Sequence, residues 1–326
     1  MFLLILKTWV LGGAFAAGPV LPKPDLLNRF LTDRNFQLPA DQRFPRQITQ
    51  LLNRVALREG KRVRPLLCFL SAGTLGGKPH SVRPLACVVE FVHTASLLHD
   101  DVLDVSADRR GKPSLWAMTS VKSAVLNGNY LLAEAIRMAA ELEEKSHVLT
   151  MLESIKEMTR GEVLQSAILK RGSCTLEDWN QIADAKTGVL FIWSLSAPAR
   201  EYGLHPEVGA DLEELGRILG RLFQARDDLL DAPEERGEVN RVLLRAAEIE
   251  GISPFAKEFR PDSLAQAAEE TLAYLKAEGT RAEALIEKIS KSADAIWEDQ
   301  PFATDTGYQK SCVQSLIGLT RLLTGG

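Results

Sequence analysis

The chain has 326 residues, 45% of them hydrophobic and 25% charged, and a formal net charge of −4. That length is enough to bury a real core in one large domain or two average ones. The weak negative balance excludes an overall basic field for nucleic acid, so any polyanion must be bound locally.

The first 22 residues are apolar, and within them MFLLILKTWVLGGAFAAGPV ends in small residues like a signal peptide. No basic residue precedes the apolar run and Lys7 interrupts it, so the expectation is a first helix that packs on the body or touches a membrane surface. Beyond it, apolar residues recur at three- and four-residue spacing and alternating Val/Ile/Thr-rich runs are nearly absent, so the fold class is all-α. The predicted helices are 47–58, 64–75, 82–104, 119–142, 147–169, 175–202, 207–232, 240–250, 263–278, 281–297 and 307–323. GTLGGKPHS (73–81) reads as a turn, Thr175 as an N-cap with Asp178 three residues on, and Asp262 or Ser263 as the start of a later helix. No repeat or Gly/Ser linker divides the chain, so a single domain over 1–326 is the simplest reading. Cys68, Cys87, Cys174 and Cys312 are far apart and lack CxxC spacing, as expected of plain thiols in a reducing, cytoplasmic setting.

The stretch HDDVLD carries Asp100, Asp101 and Asp104. At about 100° per residue, Asp100 and Asp104 lie about 40° apart on a helix and share a face, whereas Asp101 points to one side. Two like charges at that spacing repel, and their apolar neighbours offer no basic partner on the same turn. A hard divalent cation answers this, because Mg²⁺ takes carboxylate oxygens and completes its shell with water and substrate phosphates. The same spacing returns 127 residues later in FQARDDLLD, at Asp227, Asp228 and Asp231. One such motif has the bland reading of a solvated acidic helix end. Two, each following an apolar helix, fit a site built between facing helices.

Cations follow in two clusters: Lys61, Arg62 and Arg64 after Gly60, and Arg109, Arg110 and Lys112 in ADRRGKP. Arginine forks grip phosphate bidentately and lysine acts as a point charge.

With GKRVRP, FVHTASLLHDDVLDVSADRRGKPS, NGNYLLAEA, GEVLQ, KTGVLF and FQARDDLLD in this order over roughly residues 45 to 235, the chain resembles the trans-isoprenyl diphosphate synthases, or polyprenyl synthetases. The resemblance implies a single large antiparallel helix bundle with a central cavity. It implies two or three Mg²⁺ ions held by Asp100, Asp104 and Asp227, with Asp101, Asp228 and Asp231 as partial ligands or their supports. Arg109, Lys186, Thr187 and Gln224 would contact an allylic diphosphate. Lys61, Arg64, His93 and Arg110 would hold isopentenyl diphosphate, and Gln165 would line the pocket. The implied enzyme transfers prenyl groups and is a homodimer, with no nucleic acid partner. Its product is set by the residues one turn before the first motif, here the small Ala95 and Ser96, which predicts geranylgeranyl diphosphate or longer.

Three positions depart from the family pattern. Asn129 stands where aspartate is usual, Glu59 where a second glycine is usual, and the lysine-containing stretch after the second motif is missing, leaving Arg236 and Arg241 as substitutes. These departures motivate a rival reading as a catalytically impaired homologue that binds isoprenoid diphosphates or serves as a regulatory subunit. A terpene cyclase is a third reading, opposed by the basic cluster at Lys61 and Arg64.

Overall fold

The computed structural model describes residues 25–38, 46–57, 60–109, 111–231, 239–256, 259–297 and 306–325. The apolar segment 1–22, Glu59, Arg110 and Arg236 lie outside the described residues.

After two 3₁₀ turns, Asp25–Arg29 and Asp33–Phe36, come α1 (Arg46–Leu51), a π-turn (Leu52–Ala56), α2 (Val63–Thr74) and α3 (Arg83–Leu103). A two-residue antiparallel hairpin, β1 (Asp108–Arg109) with β2 (Lys112–Pro113), leads into α4 (Leu115–Met118), α5 (Val121–Glu141) and α6 (Ser146–Arg171). The chain continues as α7 (Leu176–Ala183), a second π-turn (Asp184–Gly188), α8 (Val189–Glu201) and α9 (Pro206–Asp231). It ends as α10 (Arg241–Glu250), α11 (Pro261–Trp297) and α12 (Thr306–Thr324).

Two helices that are apolar on all sides sit inside the bundle. In α2 every residue from Val63 to Thr74 except Arg64 is buried, and in α8 every residue from Leu190 to Ala199 except Ile192 is buried. They pack on each other, and α3, α6 and α9 close around α8. Among the described residues, no helix is long and apolar enough to cross a membrane.

Sequence punctuation is realised at α7, where Thr175 Oγ1 accepts from Asp178 N at 3.1 Å and Asp178 Oδ2 accepts from Thr175 N at 2.9 Å, a full capping box. Three expectations need correction. The single helices expected over 47–58 and 175–202 are each interrupted by a π-turn, which apolar periodicity cannot register. The helices expected at 263–278 and 281–297 are one helix, because Gly279 is not a break. A Cβ there would lie 2.5 Å from Thr324 Cγ2, so the glycine lets α12 approach α11 closely. The hairpin and α4 were absent from the expected elements, being too short to show a period.

Candidate active site

The first acidic motif ends α3. Asp100 is half-buried on its last turn, and Asp104 caps the helix, its N–H bonded to Asp100 O at 2.8 Å. Burial pushes the Asp100 carboxyl up to about 6, and the negative charges of Glu162 and Asp104 push in the same direction against Lys186 and Arg109. Asp104 lies near enough for its charge to act on Asp100, as the helical spacing predicts, and Lys186 and Arg109 offset part of the negative charge there. Asp101 has a different setting. It is 2% exposed and its Oδ1 accepts from Arg109 Nε at 2.7 Å, with the Arg109 terminal nitrogen at 2.5 Å. Asp101 thus holds the arginine through Oδ1.

The second π-turn carries the polar pair predicted at Lys186 and Thr187. Adjacent residues of a helix point in directions roughly 100° apart, so Lys186 and Thr187 meet different neighbours. Lys186 Nζ reaches Glu162 Oε1 at 2.7 Å and donates to Gln165 Oε1 at 3.0 Å, both on α6 and on the side of Asp100. Thr187 Oγ1 instead donates to Gln224 Oε1 at 3.0 Å, one turn before the second motif. The turn is pinned from α9 by a bidentate pair, Arg221 Nε and its terminal nitrogen each 2.6 Å from an Asp184 oxygen. Gly220 of α9 packs on Gly188 so closely that a Cβ would lie 2.5 Å from the Gly188 Cα.

In the second motif the three aspartates differ. Asp227 is half-buried, and its charge acts on Arg64. Asp228 is buried and accepts from Trp179 Nε1 (2.7 Å), from Arg241 N (2.7 Å) and from Gln224 Nε2 (3.0 Å). Burial nevertheless raises its carboxyl to about 6 against those three bonds. It ties α7, α9 and α10 together, the arrangement of a residue that supports the motif from behind. Asp231 ends α9, and only its backbone is described.

The basic cluster before α2 also divides. Lys61 is exposed, while Arg62 is buried with a left-handed backbone (φ 51°), ion-paired to Glu90 and over the Phe36 ring at 4.8 Å. Arg64 lies over the Phe191 ring at 5.4 Å; enclosure lowers its pKa to about 10, opposed by the charges of Glu90 and Asp227. His93 and Ser96 are half-buried and joined by Ser96 Oγ donating to His93 O at 2.9 Å; Ala95 is buried. Asn129 is exposed.

Arg241 does not replace the missing lysine. Its guanidinium is stacked between Trp179 (4.9 Å) and Tyr274 (3.8 Å), and Asn240 caps the helix it begins, accepting from Val242 N at 2.9 Å. Sequence reasoning missed Glu162 and Trp179. Glu162 stood in the GEVLQ motif three residues before Gln165, on the same helical face. Nothing in the sequence distinguished Trp179 from a core aromatic.

A sequence profile described as polyprenyl synthetase matches residues 45–245. Octaprenyl diphosphate synthase of Escherichia coli (strain K12) is 35% identical over 184 residues, 56% of this chain and 57% of that protein. Geranylgeranyl diphosphate synthase of Methanosarcina mazei is 34% identical over 183 residues, 54% of this chain and 56% of that protein. The chain thus spans little more than half the length of these curated relatives. Among solved structures, a geranylgeranyl pyrophosphate synthetase from the archaeon Geoglobus acetivorans matches with a TM-score of 0.67 at 25% identity, covering 90% of this chain and 97% of that one. The profile spans more than half of the chain, both acidic motifs and the π-turn between them, and on that ground the chain belongs to the polyprenyl synthetase family.

Proposed function

We propose that the chain is a prenyltransferase that condenses isopentenyl diphosphate with an allylic diphosphate by metal-assisted ionisation, with a product of geranylgeranyl length or longer. The observation that carries this reading is the π-turn, from which Lys186 is directed toward the first acidic motif and Thr187 toward the second. A diphosphate held there meets cations and hydrogen-bond donors from both sides. Arg109 is presented by Asp101, and Lys186 by Glu162 and Gln165. These groups stabilise the negative charge that develops on the leaving diphosphate as the allylic C–O bond breaks. Lys61, Arg64, His93 and Arg110 hold the diphosphate of isopentenyl diphosphate, whose double bond attacks the allylic cation. The proton lost on restoring the alkene goes to the released diphosphate.

The acidic residues fit a divalent metal. Their donors are all carboxylate oxygens, and burial together with the neighbouring Glu162 and Asp104 charges raises the Asp100 carboxyl, a setting that an added cation would relieve. Asp100, Asp104 and Asp227 would hold two or three Mg²⁺ ions, which supply positive charge to the departing diphosphate. Among the described residues no three metal-ligating side chains converge on one point, so such ions need further oxygens from water or diphosphate.

The small Ala95 and Ser96 support the long product. A homodimer is supported by apolar residues left exposed on neighbouring helices: Val121, Val125 and Leu126 on α5, Leu149 and Leu152 on α6. The free thiols support a cytoplasmic location, with peripheral membrane contact proposed for residues 1–22.

Purified protein incubated with Mg²⁺, an allylic diphosphate and labelled isopentenyl diphosphate tests the reading. Chain elongation is the expected result. Diphosphate release without elongation would instead identify a cyclase. The stacked Arg241 favours the rival non-catalytic reading, since it leaves the post-motif cation unreplaced among the described residues. Binding without turnover would establish that rival.

A further inference from the structure

A cavity of about 340 Å³ lies behind the first acidic motif, on the far side of the Asp101–Arg109 pair. Its volume is within the roughly 300–1,000 Å³ of small-molecule sites. The cavity is framed by the first π-turn, by α3, by the hairpin and by α4. Val55, Leu97, Leu98 and Leu115 give it apolar walls, while Arg54, Arg109 and Lys112 supply three cations. Among the described lining residues the one carboxylate, Asp101, is committed to Arg109. Cations beside an apolar interior are the distribution that suits an amphiphilic anion.

Ser114 supplies the polar anchor. It occupies the N-cap position of α4, where a serine hydroxyl ordinarily accepts a backbone N–H, yet it makes no capping bond. The residue is 3% exposed and its Oγ has no hydrogen-bond partner. An orphaned buried hydroxyl is destabilising, and a ligand bonded to it would recover that cost.

We propose that this cavity is a second ligand site, taking a short isoprenyl chain that ends in phosphate or diphosphate. The apolar walls take the chain, Arg54 takes the phosphate, and Ser114 donates to it. Only the isoprenyl identity of the chain rests on the synthase reading; the amphiphilic character rests on the lining. Because Arg109 belongs to both the cavity and the diphosphate site, an occupant competes with Asp101 for it. Excess allylic diphosphate then lowers turnover.

Equilibrium dialysis of the full chain against geranyl monophosphate tests the proposal, with Arg54→Ala and Ala56→Trp as variants that weaken or fill the cavity. The expected result is one bound equivalent in the wild type that Ala56→Trp abolishes and Arg54→Ala weakens about tenfold, as loss of one charge-assisted contact would. Both variants keep the wild-type elongation rate at low substrate and lose inhibition at high substrate. Equal stoichiometry and affinity in all three proteins would overturn the site. Equal binding of n-decyl phosphate there would overturn the isoprenyl assignment, and inorganic phosphate alone is expected to bind weakly. If elongation is absent while the variant-sensitive equivalent remains, the synthase reading fails and the site stands.

Discussion

The indole Nε1 of Trp179 donates to Asp228 Oδ2 at 2.7 Å, which makes the middle aspartate of the second motif a structural acceptor beside Asp227. The two neighbours should therefore respond oppositely to truncation. Asp228→Ala strands the Trp179 indole, the Arg241 N–H and the Gln224 amide, and buried unpaired donors cost about 1–3 kcal/mol each. A loss of about 3 kcal/mol or more is expected in denaturant unfolding. Asp227→Ala should leave stability within about 1 kcal/mol and lower turnover about 10²–10³-fold. A stable Asp228→Ala protein would refute the assignment.

Asp100 sets a pH dependence. Burial, Glu162 and Asp104 raise its carboxyl to about 6, so between about pH 4 and 6 the folded chain holds a proton that the unfolded chain has released. Stability from this group is present at low pH and lost as pH rises through about 6. The raised Asp228 acts in the same direction. Melting temperature should fall from pH 5 to pH 7.5, less steeply in Asp100→Asn, and Mg²⁺ with inorganic diphosphate should restore part of the loss at pH 7.5. Identical slopes in wild type and Asp100→Asn would rule this out.

Ala95→Phe should shorten the product. The residue is buried one turn before Asp100, so the ring also overpacks its surroundings at about 1–3 kcal/mol, and Ser96→Phe at the half-buried neighbour is the milder companion. Thin-layer analysis of the labelled products gives the answer. Unchanged chain length in both variants would remove these positions from length control.

Gly220→Ala should separate the π-turn from α9, because the added methyl meets backbone rather than a movable side chain. We expect about 1–3 kcal/mol of destabilisation. We also expect a raised KM for the allylic diphosphate, since the Thr187–Gln224 bond spans the same contact. A KM unchanged in a destabilised protein would separate the packing from the site.

The helices were legible because apolar spacing and Thr175 capping are local, and the pairing of Asp100 with Asp104 was legible because helical angle alone fixes it. What escaped the sequence depends on contacts between distant segments. Gly279 carries the same local signal as a helix stop, and only the approach of Thr324 explains it. Arg62 and Arg64 are two residues apart and look alike, but the left-handed backbone at Arg62 turns its side chain onto Glu90, away from any ligand role. Glu162 became visible as part of the site only once α6 was seen beside Lys186.

The wide turn at Asp184–Gly188 also bears on insertion and deletion. It holds one residue more than an α turn, and the surplus is absorbed before α8 begins. Deleting a single residue there would restore regular winding while α7 and α8 kept the faces they now bury. What would change is the position from which Lys186 and Thr187 reach Glu162 and Gln224, so their present partners depend on the length of this helix as much as on its residues.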